Sequence, residues 1–359
     1  MKASPAKVGV IGCGNISGIY FTNMKKMETL EVAACADLIM ERAESSAKQH
    51  GIPKACTPAE LLADPSIEMV VNLTIPKAHA EVALAAVEAG KSVYTEKPLA
   101  VTREDGQRIV ERAAEKGVLV GCAPDTFLGA GIQTCVRLIN DGVIGAPVAA
   151  TAFMTCHGHE GWHPDPAFYY QSGGGPVFDM GPYYFTALIA LMGPARRVSG
   201  SVSRSFPRRV VGSGPREGQV IEVEVPTHAA GTIDFEAGAI ASFVMSFDIW
   251  HAELPRIEIY GTEGSLSVPD PNGFGGPVRV RASRDAAWQD VPVTLPHAEN
   301  SRGLGVSEMV EAIGAGRPPR ASGALGLHAL EIMHAVHDAS GSERYVNLRW
   351  PAARPAALE

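Results

Sequence analysis

Near its start, the chain runs from a short apolar segment, residues 8–11, into two closely spaced glycines and then a helix-compatible segment that reaches about Met27. This order predicts a strand, a tight turn and a helix. Gly12 permits the turn, and Gly14 lets the backbone approach a pyrophosphate, which the free N–H groups at the helix start can bind. We expect Asn15 and Ile16, which follow the glycines, to contact the same ligand. Because a glycine pattern alone is weak evidence, the segments that follow decide its meaning.

A second apolar run, residues 31–36, ends in a carboxylate. Asp37 follows Gly14 by 23 residues, about where a dinucleotide-binding unit places the acid that binds the adenosine ribose hydroxyls. An acid at this position repels a 2′-phosphate, so the sequence favours NAD over NADP, with Leu38 as a neighbouring cofactor contact. The alternative is that Asp37 only caps a helix that begins near Met40.

Apolar strands and amphipathic helices alternate over the rest of the first 125 residues. The predicted helices are 58–62, 77–89 and 102–116, and the predicted strands are 67–73, 92–95 and 118–122. This alternation predicts a parallel sheet covered on both faces, whose ligands bind beyond the carboxyl ends of the strands. The residues after these strands should therefore border one crevice. The cofactor-binding candidates among them are Thr74, Pro76, His79, Glu96 and Lys97.

Length, charge and cysteine usage restrict the class of protein. A chain of 359 residues suggests two domains, which we place at 1–125 and 126–359. The net charge of -8, with acidic and basic residues interleaved, argues against binding to nucleic acid or an anionic membrane. No apolar run approaches the roughly 20 residues of a membrane span, and no signal peptide is evident, so we expect a cytoplasmic location. Six scattered cysteines favour reduced, packed thiols over disulfides or a metal site.

From about residue 126 the pattern changes to alternating, β-branched and turn residues. Strands are predicted at 149–155, 195–204, 229–235, 239–248, 256–260 and 264–268, and helices at 131–140, 304–315 and 326–339. These elements predict an α+β domain with an open, mostly antiparallel sheet.

The segment 156–170 combines histidines and aromatic residues with turn formers. Such a loop suits a polar, ring-shaped substrate, because aromatic faces stack on C–H faces while imidazole and indole groups bond hydroxyls. His157, Trp162 and His163 are the substrate-binding candidates in it. A metal site is the alternative, but two histidines two residues apart in a flexible segment are poor evidence for one, and we predict no metal. Asp125 and His328 complete the substrate-binding candidates.

Several of these segments resemble the glucose-fructose oxidoreductase, inositol dehydrogenase and MocA (Gfo/Idh/MocA) family. The matching pieces, in the family's order, are 12–17, Asp37, 72–79, Tyr-Thr-Glu-Lys-Pro-Leu at 94–99 and Gly-Gly-Gly-Pro-Val-Phe-Asp-Met-Gly at 173–181. The resemblance implies a Rossmann domain that binds NAD, oxidoreductase activity, and a second domain whose sheet forms the interface of a homo-oligomer, either a dimer or a tetramer.

In many members of this family the last motif continues as Asp-x-Gly-x-His-x-x-Asp, with the histidine as the proton-transfer group. Here Asp179 is present, but Tyr183 takes the histidine position and Thr186 that of the second aspartate. On one helix, Asp179 and Tyr183 would share a face and reach the same substrate hydroxyl. We expect Lys97, whose bond to Pro98 could be cis, to lie near the nicotinamide. Lys97, Asp179 and Tyr183 are thus the catalytic candidates, and either Lys97 or Tyr183 takes the proton.

The function predicted from these residues is NAD-dependent oxidation of a secondary hydroxyl of a sugar, a sugar derivative or a cyclitol. A first alternative is a glycoside hydrolase or lyase that retains NAD and acts through transient oxidation. A second is a non-catalytic regulator that binds NAD(H), which the presence of Lys97 and Asp179 disfavours.

Overall fold

The computed structural model describes residues 4–282 and 285–358. These form two compact units: one contains the residues up to Leu128 together with Asn300–Leu327, and the other contains Gly129–Glu299 together with the residues from His328 onward. The sequence-based division placed everything after residue 125 in one domain. It differs from the structure in the segment 300–327, which returns to the first unit because its helix packs against that unit's sheet.

The first unit is built on a six-stranded parallel sheet with the strand order β3-β2-β1-β4-β5-β6. Its strands are β1 (Ala6–Ile11), β2 (Leu30–Ala36), β3 (Lys54–Cys56), β4 (Met69–Asn72), β5 (Ser92–Thr95) and β6 (Val120–Cys122). Its helices are α1 (Ser17–Met24), α2 (Met40–His50), α3 (Pro58–Ala63), α4 (His79–Glu88), α5 (Arg103–Lys116) and, much later in the chain, α9 (Leu304–Gly314). The predicted Rossmann sheet is confirmed.

Local sequence signals explain most of these elements. All four residues of β4 are buried, which suits a central strand covered on both faces. Thr57 and Glu60 form a reciprocal capping box at the start of α3, and the Thr102 hydroxyl accepts a hydrogen bond from the Asp105 N–H at the start of α5. Such caps satisfy backbone N–H groups that have no partner inside the helix. The three-residue strand β3 was not predicted, since its apolar pattern is too short to recognise.

The second unit contains a nine-stranded sheet with the order β16-β15-β14-β13-β7-β12-β11-β8-β17 and a separate hairpin of β9 and β10. Its pairs are antiparallel except β7 with β12, which is parallel. The strands are β7 (Pro147–Thr155), β8 (Ala195–Ser203), β9 (Arg208–Val210), β10 (Val220–Glu222), β11 (His228–Phe235), β12 (Ile240–Ser246), β13 (Ile257–Gly261), β14 (Ser265–Val268), β15 (Val278–Arg281), β16 (Gln289–Val291) and β17 (Val346–Asn347). The prediction of a mostly antiparallel sheet is confirmed.

Helices pack against this sheet. They are α6 (Ala130–Asn140), α7 (Pro176–Asp179), α8 (Gly181–Met192) and α10 (Gly323–Ser342), which begins in the last residues of the first unit. Helix α10 approaches β8 so closely that a Cβ atom on Gly200 would lie 2.8 Å from the Val336 carbonyl oxygen. All twelve residues of α8 are buried, so this helix is the centre of the unit's core.

Asp179 and Tyr183 do not share one helix, and this prediction from the sequence is wrong. Asp179 ends α7, and Met180 separates it from α8. The Met180 carbonyl accepts the N–H of Tyr183 and also that of Tyr184, so it begins a new helix. A proline follows at the second position of α8. Proline has no N–H to continue the bonds of the preceding helix, which favours a fresh start at this point.

Two further properties bear on the expectations from composition. All six cysteines are free thiols, five of them buried and Cys156 half-buried. Over the described ranges, no helix combines the length and apolar character that crossing a membrane requires.

Candidate active site

The glycine turn after β1 has one crowded and one open glycine. Gly12 has a φ of +104°, and a Cβ atom there would lie 2.7 Å from the backbone of Leu73. Gly14 is exposed, and a Cβ atom there would meet nothing within 4 Å. The Gly14 carbonyl accepts both the N–H and the hydroxyl of Ser17. Gly12 therefore shapes the turn, and the open side at Gly14 fits a pyrophosphate that must approach the backbone.

We expect Gly14→Ala to weaken NAD binding by about tenfold or more, roughly 1.4 kcal/mol, while the melting temperature stays within a few degrees. The added methyl group meets no protein atom but occupies the space of the pyrophosphate. Gly12→Ala is the matched control for the turn itself. It should destabilise the fold by at least about 2 kcal/mol, because it combines a left-handed φ with a backbone clash. Calorimetric titration and thermal denaturation measure both effects, and unchanged NAD affinity in Gly14→Ala would contradict the assignment.

Asp37 lies between the glycine turn and α2. Its Oδ2 accepts the Cys13 N–H at 2.9 Å, and its Oδ1 accepts the Ile39 N–H at 2.9 Å. The residue that caps α2 is Ile39, which makes no side-chain capping bond. Leu38, beside it, is 92 % exposed. The half-buried Asp37 carboxylate thus joins the glycine turn to the start of α2. This position fits that of the adenosine ribose. The role of Asp37 in the choice between NAD and NADP stays a prediction.

The end of β5 is tied to helix α1, and the Glu96 N–H bonds to the carbonyl of Asn72 at the end of β4. Glu96 is buried, and its Oε1 accepts the Tyr20 hydroxyl at 2.8 Å while its Oε2 accepts the Lys97 N–H at 2.8 Å. Lys97 is half-buried, and its peptide bond to Pro98 is cis, as the sequence allowed. Because Tyr20 belongs to the helix that follows the glycine turn, this chain of bonds fixes Lys97 relative to that turn.

His79 braces two of these strand ends. Its Nδ1 lies 2.6 Å from the Pro98 carbonyl oxygen and its Nε2 lies 3.0 Å from that of Thr74. The ring is 1 % exposed, and burial lowers the pKa of His79. With both nitrogens engaged and no open surface, His79 supports the segments around Thr74 and Lys97, and the cofactor contact predicted for it stays a prediction. Thr74 and Pro76 remain half-buried at this edge.

Asp125 follows β6 in a buried position, and its role in substrate binding stays a prediction. It is 1 % exposed, and its Oδ2 accepts the N–H groups of Gly303 at 2.9 Å and Gly305 at 3.0 Å at the start of α9. Burial raises the pKa of Asp125 to about 6, with Glu96 adding to the rise and the two glycine N–H groups opposing it. Asp125 therefore anchors α9 to the end of β6.

This raised pKa predicts a distinctive pH dependence of stability. The folded value of about 6 lies above an unfolded value of about 3.9, so this group stabilises the fold as pH falls from about 6 to 4. Relative to Asp125→Asn, the wild type should gain about 2 to 3 kcal/mol between pH 7 and pH 4. Urea denaturation at the two pH values measures this. Glu44→Gln, at an exposed position on α2, is the control whose pH dependence should match that of the wild type. If the wild type and Asp125→Asn showed the same pH dependence, the raised pKa of Asp125 would be contradicted.

In the second unit, a glycine-rich turn joins the loop 156–175 to α7. The Gly174 N–H bonds to the Gln171 carbonyl, and the Gly175 N–H bonds to the Tyr169 carbonyl at 2.7 Å. A Cβ atom on Gly174 would lie 2.5 Å from the Phe168 carbonyl oxygen. This close approach explains why glycines precede Asp179, since no larger residue would let the loop fold back against the start of its helix.

The loop brings a histidine to Asp179 that the sequence-based candidates did not include. His159 Nε2 lies 3.8 Å from Asp179 Oδ2, and the two side chains are 10 % and 18 % exposed. The His159 ring stacks on Tyr169 with centroids 3.9 Å apart and meets the Phe247 ring edge-on at 4.6 Å. The sequence shows several histidines in this loop, but nothing in their spacing indicates which one reaches Asp179.

The other candidates of this unit occupy different surroundings. His157 stacks on Trp250 at 3.3 Å between centroids. Trp162 is 64 % exposed, and His163 accepts the Asp165 N–H at its Nδ1, so both can meet a ligand at the loop surface. Tyr183 is 8 % exposed at the start of α8.

Among residues 4–282 and 285–358, no group of three or more His, Cys, Asp or Glu side chains is arranged to hold a metal ion.

His328 lies in a buried position on α10, and its role in substrate binding stays a prediction. Its Nε2 accepts the Ala195 N–H at 3.0 Å, and its Nδ1 lies 2.7 Å from the Trp350 carbonyl oxygen. The side chain has no exposed surface, and burial lowers the pKa of its imidazole. With both ring nitrogens engaged by the backbone, it connects α10 to β8 and to the C-terminal segment.

A buried charge network supports the loop. Arg209 on β9 is 4 % exposed and donates to Glu160 Oε1 at 2.8 Å, to Asp248 Oδ1 and to the Phe247 carbonyl at 2.9 Å. The Tyr170 hydroxyl donates to the other oxygen of Glu160 and accepts the His159 N–H at 3.2 Å. The backbone of His159 is therefore connected, through Tyr170 and Glu160, to a residue 50 positions away in the sequence.

Comparison with known proteins identifies the class of this fold. Residues 6–123 match the model of an oxidoreductase family with an NAD-binding Rossmann fold, and residues 132–267 match the GFO/IDH/MocA C-terminal domain. The chain is 31 % identical to 1,5-anhydro-D-fructose reductase of Ensifer adhaerens over 264 residues, which cover 72 % of this chain and 74 % of that protein. It is 23 % identical to myo-inositol 2-dehydrogenase of Thermotoga maritima over 95 % of this chain and 98 % of that protein.

The fold is likewise shared with a solved structure. Levoglucosan dehydrogenase in complex with NADH superposes with a TM-score of 0.82 at 22 % identity, covering 96 % of this chain and 99 % of that one. The chain belongs to the Gfo/Idh/MocA family, as the resemblance of its motifs indicated. It is accordingly an oxidoreductase, and NAD is its cofactor.

Proposed function

We propose that this protein oxidises a secondary hydroxyl of a sugar, a sugar derivative or a cyclitol by transferring hydride to NAD. The main support is the connection of Lys97 to the cofactor-binding turn through Glu96 and Tyr20. This connection holds Lys97, whose side chain carries an amino group, at the carboxyl edge of the parallel sheet. Ligands bind at this edge in such folds. The names of the relatives, an anhydrosugar reductase and an inositol dehydrogenase, agree with substrates of this class.

The chain's own residues divide the work between binding and proton transfer. The turn at Gly12 and Gly14 would hold the pyrophosphate, and Asp37 the adenosine ribose. Bound NAD supplies the carbon that accepts the hydride. We assign the hydroxyl proton to a set formed by Lys97, Asp179 and Tyr183, in which an amine, a carboxylate and a phenol offer both acceptors and donors. Loss of this proton as the hydride departs prevents positive charge from building on the substrate oxygen.

One experiment tests both the reaction and the cofactor. Purified protein is incubated with NAD or NADP and with myo-inositol, scyllo-inositol, D-glucose or levoglucosan, and separately with NADH and 1,5-anhydro-D-fructose. We expect reduction of NAD by at least one polyol, or oxidation of NADH by the ketone, with NADP clearly less effective. Hydrolysis of p-nitrophenyl glycosides without net NADH would instead support the hydrolase. A strong preference for NADP would contradict the role of Asp37.

We also propose that the nine-stranded sheet mediates formation of a homodimer or homotetramer. Residues of β12 alternate: Ala241, Phe243 and Met245 are buried, whereas Ile240 is 48 % exposed. Val148 on β7 is 50 % exposed. The sheet thus has apolar side chains open to solvent. A monomeric mass by light scattering at micromolar concentration would contradict this proposal.

A further inference from the structure

His159, from the loop 156–175, places its imidazole beside Asp179 at the end of α7. We propose that His159 takes up, through Asp179, the proton that the substrate hydroxyl releases. His159 is then a positioning and relay residue, and Asp179 is the group that meets the hydroxyl. The inference rests on the proposed dehydrogenase function, and it adds a residue that neither the motifs nor the family comparison assigns.

The first argument is geometric. At 3.8 Å, the separation of His159 Nε2 and Asp179 Oδ2 is within ion-pair range, and rotation of the Asp179 carboxylate toward the ring would shorten it to a hydrogen bond. Both side chains are largely shielded from water, which strengthens the interaction between a carboxylate and an imidazolium. Cys156 directly follows β7. Burial raises the pKa of its thiol, and the negative charge of Asp179 adds to the rise.

The second argument is that the ring is held in place. Tyr169 stacks on one face with an interplanar angle of 9°, and Phe247 meets the ring at 80°. The His159 N–H bonds to the Tyr170 hydroxyl at 3.2 Å, and the His159 carbonyl accepts the His163 N–H at 2.9 Å. A ring that is stacked on one face, met by a second aromatic ring and held through its backbone loses little further freedom when it pairs with Asp179.

The surrounding charges single out Asp179 as the partner. The ionisable groups on neighbouring elements are Glu160, His163, Tyr169, Tyr170, Arg209, Asp248 and Cys156. Arg209 pairs with both Glu160 and Asp248, so it offsets part of the charge of those carboxylates. Asp179 lies within ion-pair distance of the imidazole.

The proton balance of the step is simple. The substrate C–H bond breaks as hydride leaves for NAD, which is reduced, and the O–H bond breaks as its proton passes to Asp179. Asp179 gives a proton to His159 Nε2, so the carboxylate is restored and the ring becomes imidazolium. Imidazole is a stronger base than a carboxylate, so the ring is the group that keeps the proton. In the reverse direction the imidazolium returns the proton.

The first test needs no substrate. Histidine hydrogen–deuterium exchange followed by mass spectrometry gives the titration midpoint of His159 in the NAD-bound protein. Asp179→Asn should lower that midpoint by about one pH unit or more, since it removes the charge that favours imidazolium. Asp165→Asn is the matched control, because Asp165 is an exposed acid of the same loop that pairs with Arg216, and it should leave the midpoint unchanged. An equal midpoint in wild type and Asp179→Asn overturns the proposal.

The second test uses the panel compound that the wild type oxidises fastest. His159→Gln should lower kcat by about 100-fold with little change in the KM for NAD, and the fall of the wild-type rate at acidic pH should disappear. A structural role alone would lower the rate equally at every pH, and that result overturns the relay. If Asp179→Asn lowers the His159 titration midpoint but no panel compound is oxidised, the pairing is supported and the dehydrogenase function is rejected. Failure of the relay and failure of the proposed function therefore give different results.

Discussion

Replacing Lys97 with methionine is expected to slow hydride transfer by about 10²- to 10⁴-fold, equivalent to roughly 3 to 5 kcal/mol, while NAD still binds. Methionine keeps much of the length and apolar stem of lysine but has no amine. The Lys97 N–H bond to Glu96 comes from the backbone, so this variant keeps the anchored segment and removes only the chemistry of the side chain. Stopped-flow measurement of NADH formation under single-turnover conditions reports the hydride step directly.

Two variants complete this test. Lys116→Met removes a lysine at the end of α5 that pairs with Glu88 at the surface, and it should leave the rate unchanged. Tyr183→Phe removes the phenol of the proposed proton-transfer set and should also slow the reaction, since Lys97, Asp179 and Tyr183 are proposed to act together. If Lys97→Met and Tyr183→Phe both retained the wild-type rate with NAD bound, the assignment of the proton-transfer group would be wrong.

The second large effect is expected at Arg209, where replacement by methionine should lower the free energy of unfolding of the second unit by about 3 to 5 kcal/mol. The arginine is 4 % exposed and pairs with two carboxylates that are 11 % and 6 % exposed. Removing the cation leaves Glu160 and Asp248 buried without their compensating charge, and this penalty greatly exceeds the loss of one surface ion pair. Urea denaturation followed by tryptophan fluorescence measures the change.

The neighbouring residue offers a matched control. Arg208 pairs with Glu222, but the two side chains are 69 % and 64 % exposed, so Arg208→Met should cost less than about 1 kcal/mol. Adding Glu160→Gln and Asp248→Asn to Arg209→Met should recover part of the lost stability, because the buried charges are then removed together. Equal effects of the Arg208 and Arg209 replacements would contradict the buried-network account.

The network also links stability to the proposed chemistry. Glu160 directly follows His159 in the chain, and Tyr170 bonds both the Glu160 carboxylate and the His159 backbone. Partial loosening of the loop in an Arg209 variant should therefore free the His159 ring from its place beside Asp179. The rate of hydride transfer and the stability of the unit are expected to fall together in that variant, whereas Lys97→Met should affect the rate alone.

Much of the first unit could be predicted because its signals are local. The glycine turn, the apolar runs and the capping residues Thr57 and Thr102 each act within a few positions of the chain, and the structure has the strands and helices close to where the pattern indicated. The errors occurred where distant contacts decide. Helix α9 joins the first unit through Asp125, which bonds Gly303 and Gly305 across almost 180 residues, and no local pattern indicates that return.

The site divides in the same way. The amino-acid sequence by itself determined the Rossmann architecture, the family and NAD as the cofactor, because the turn geometry and strand-to-helix spacing that bind a dinucleotide are properties of short segments. Only the tertiary structure decided that α7 ends at Asp179, that His79, Asp125 and His328 are buried supports, and that His159 is the histidine beside Asp179. That last proximity depends on a loop path set by Arg209, a buried charge whose two partners lie far from it in the sequence.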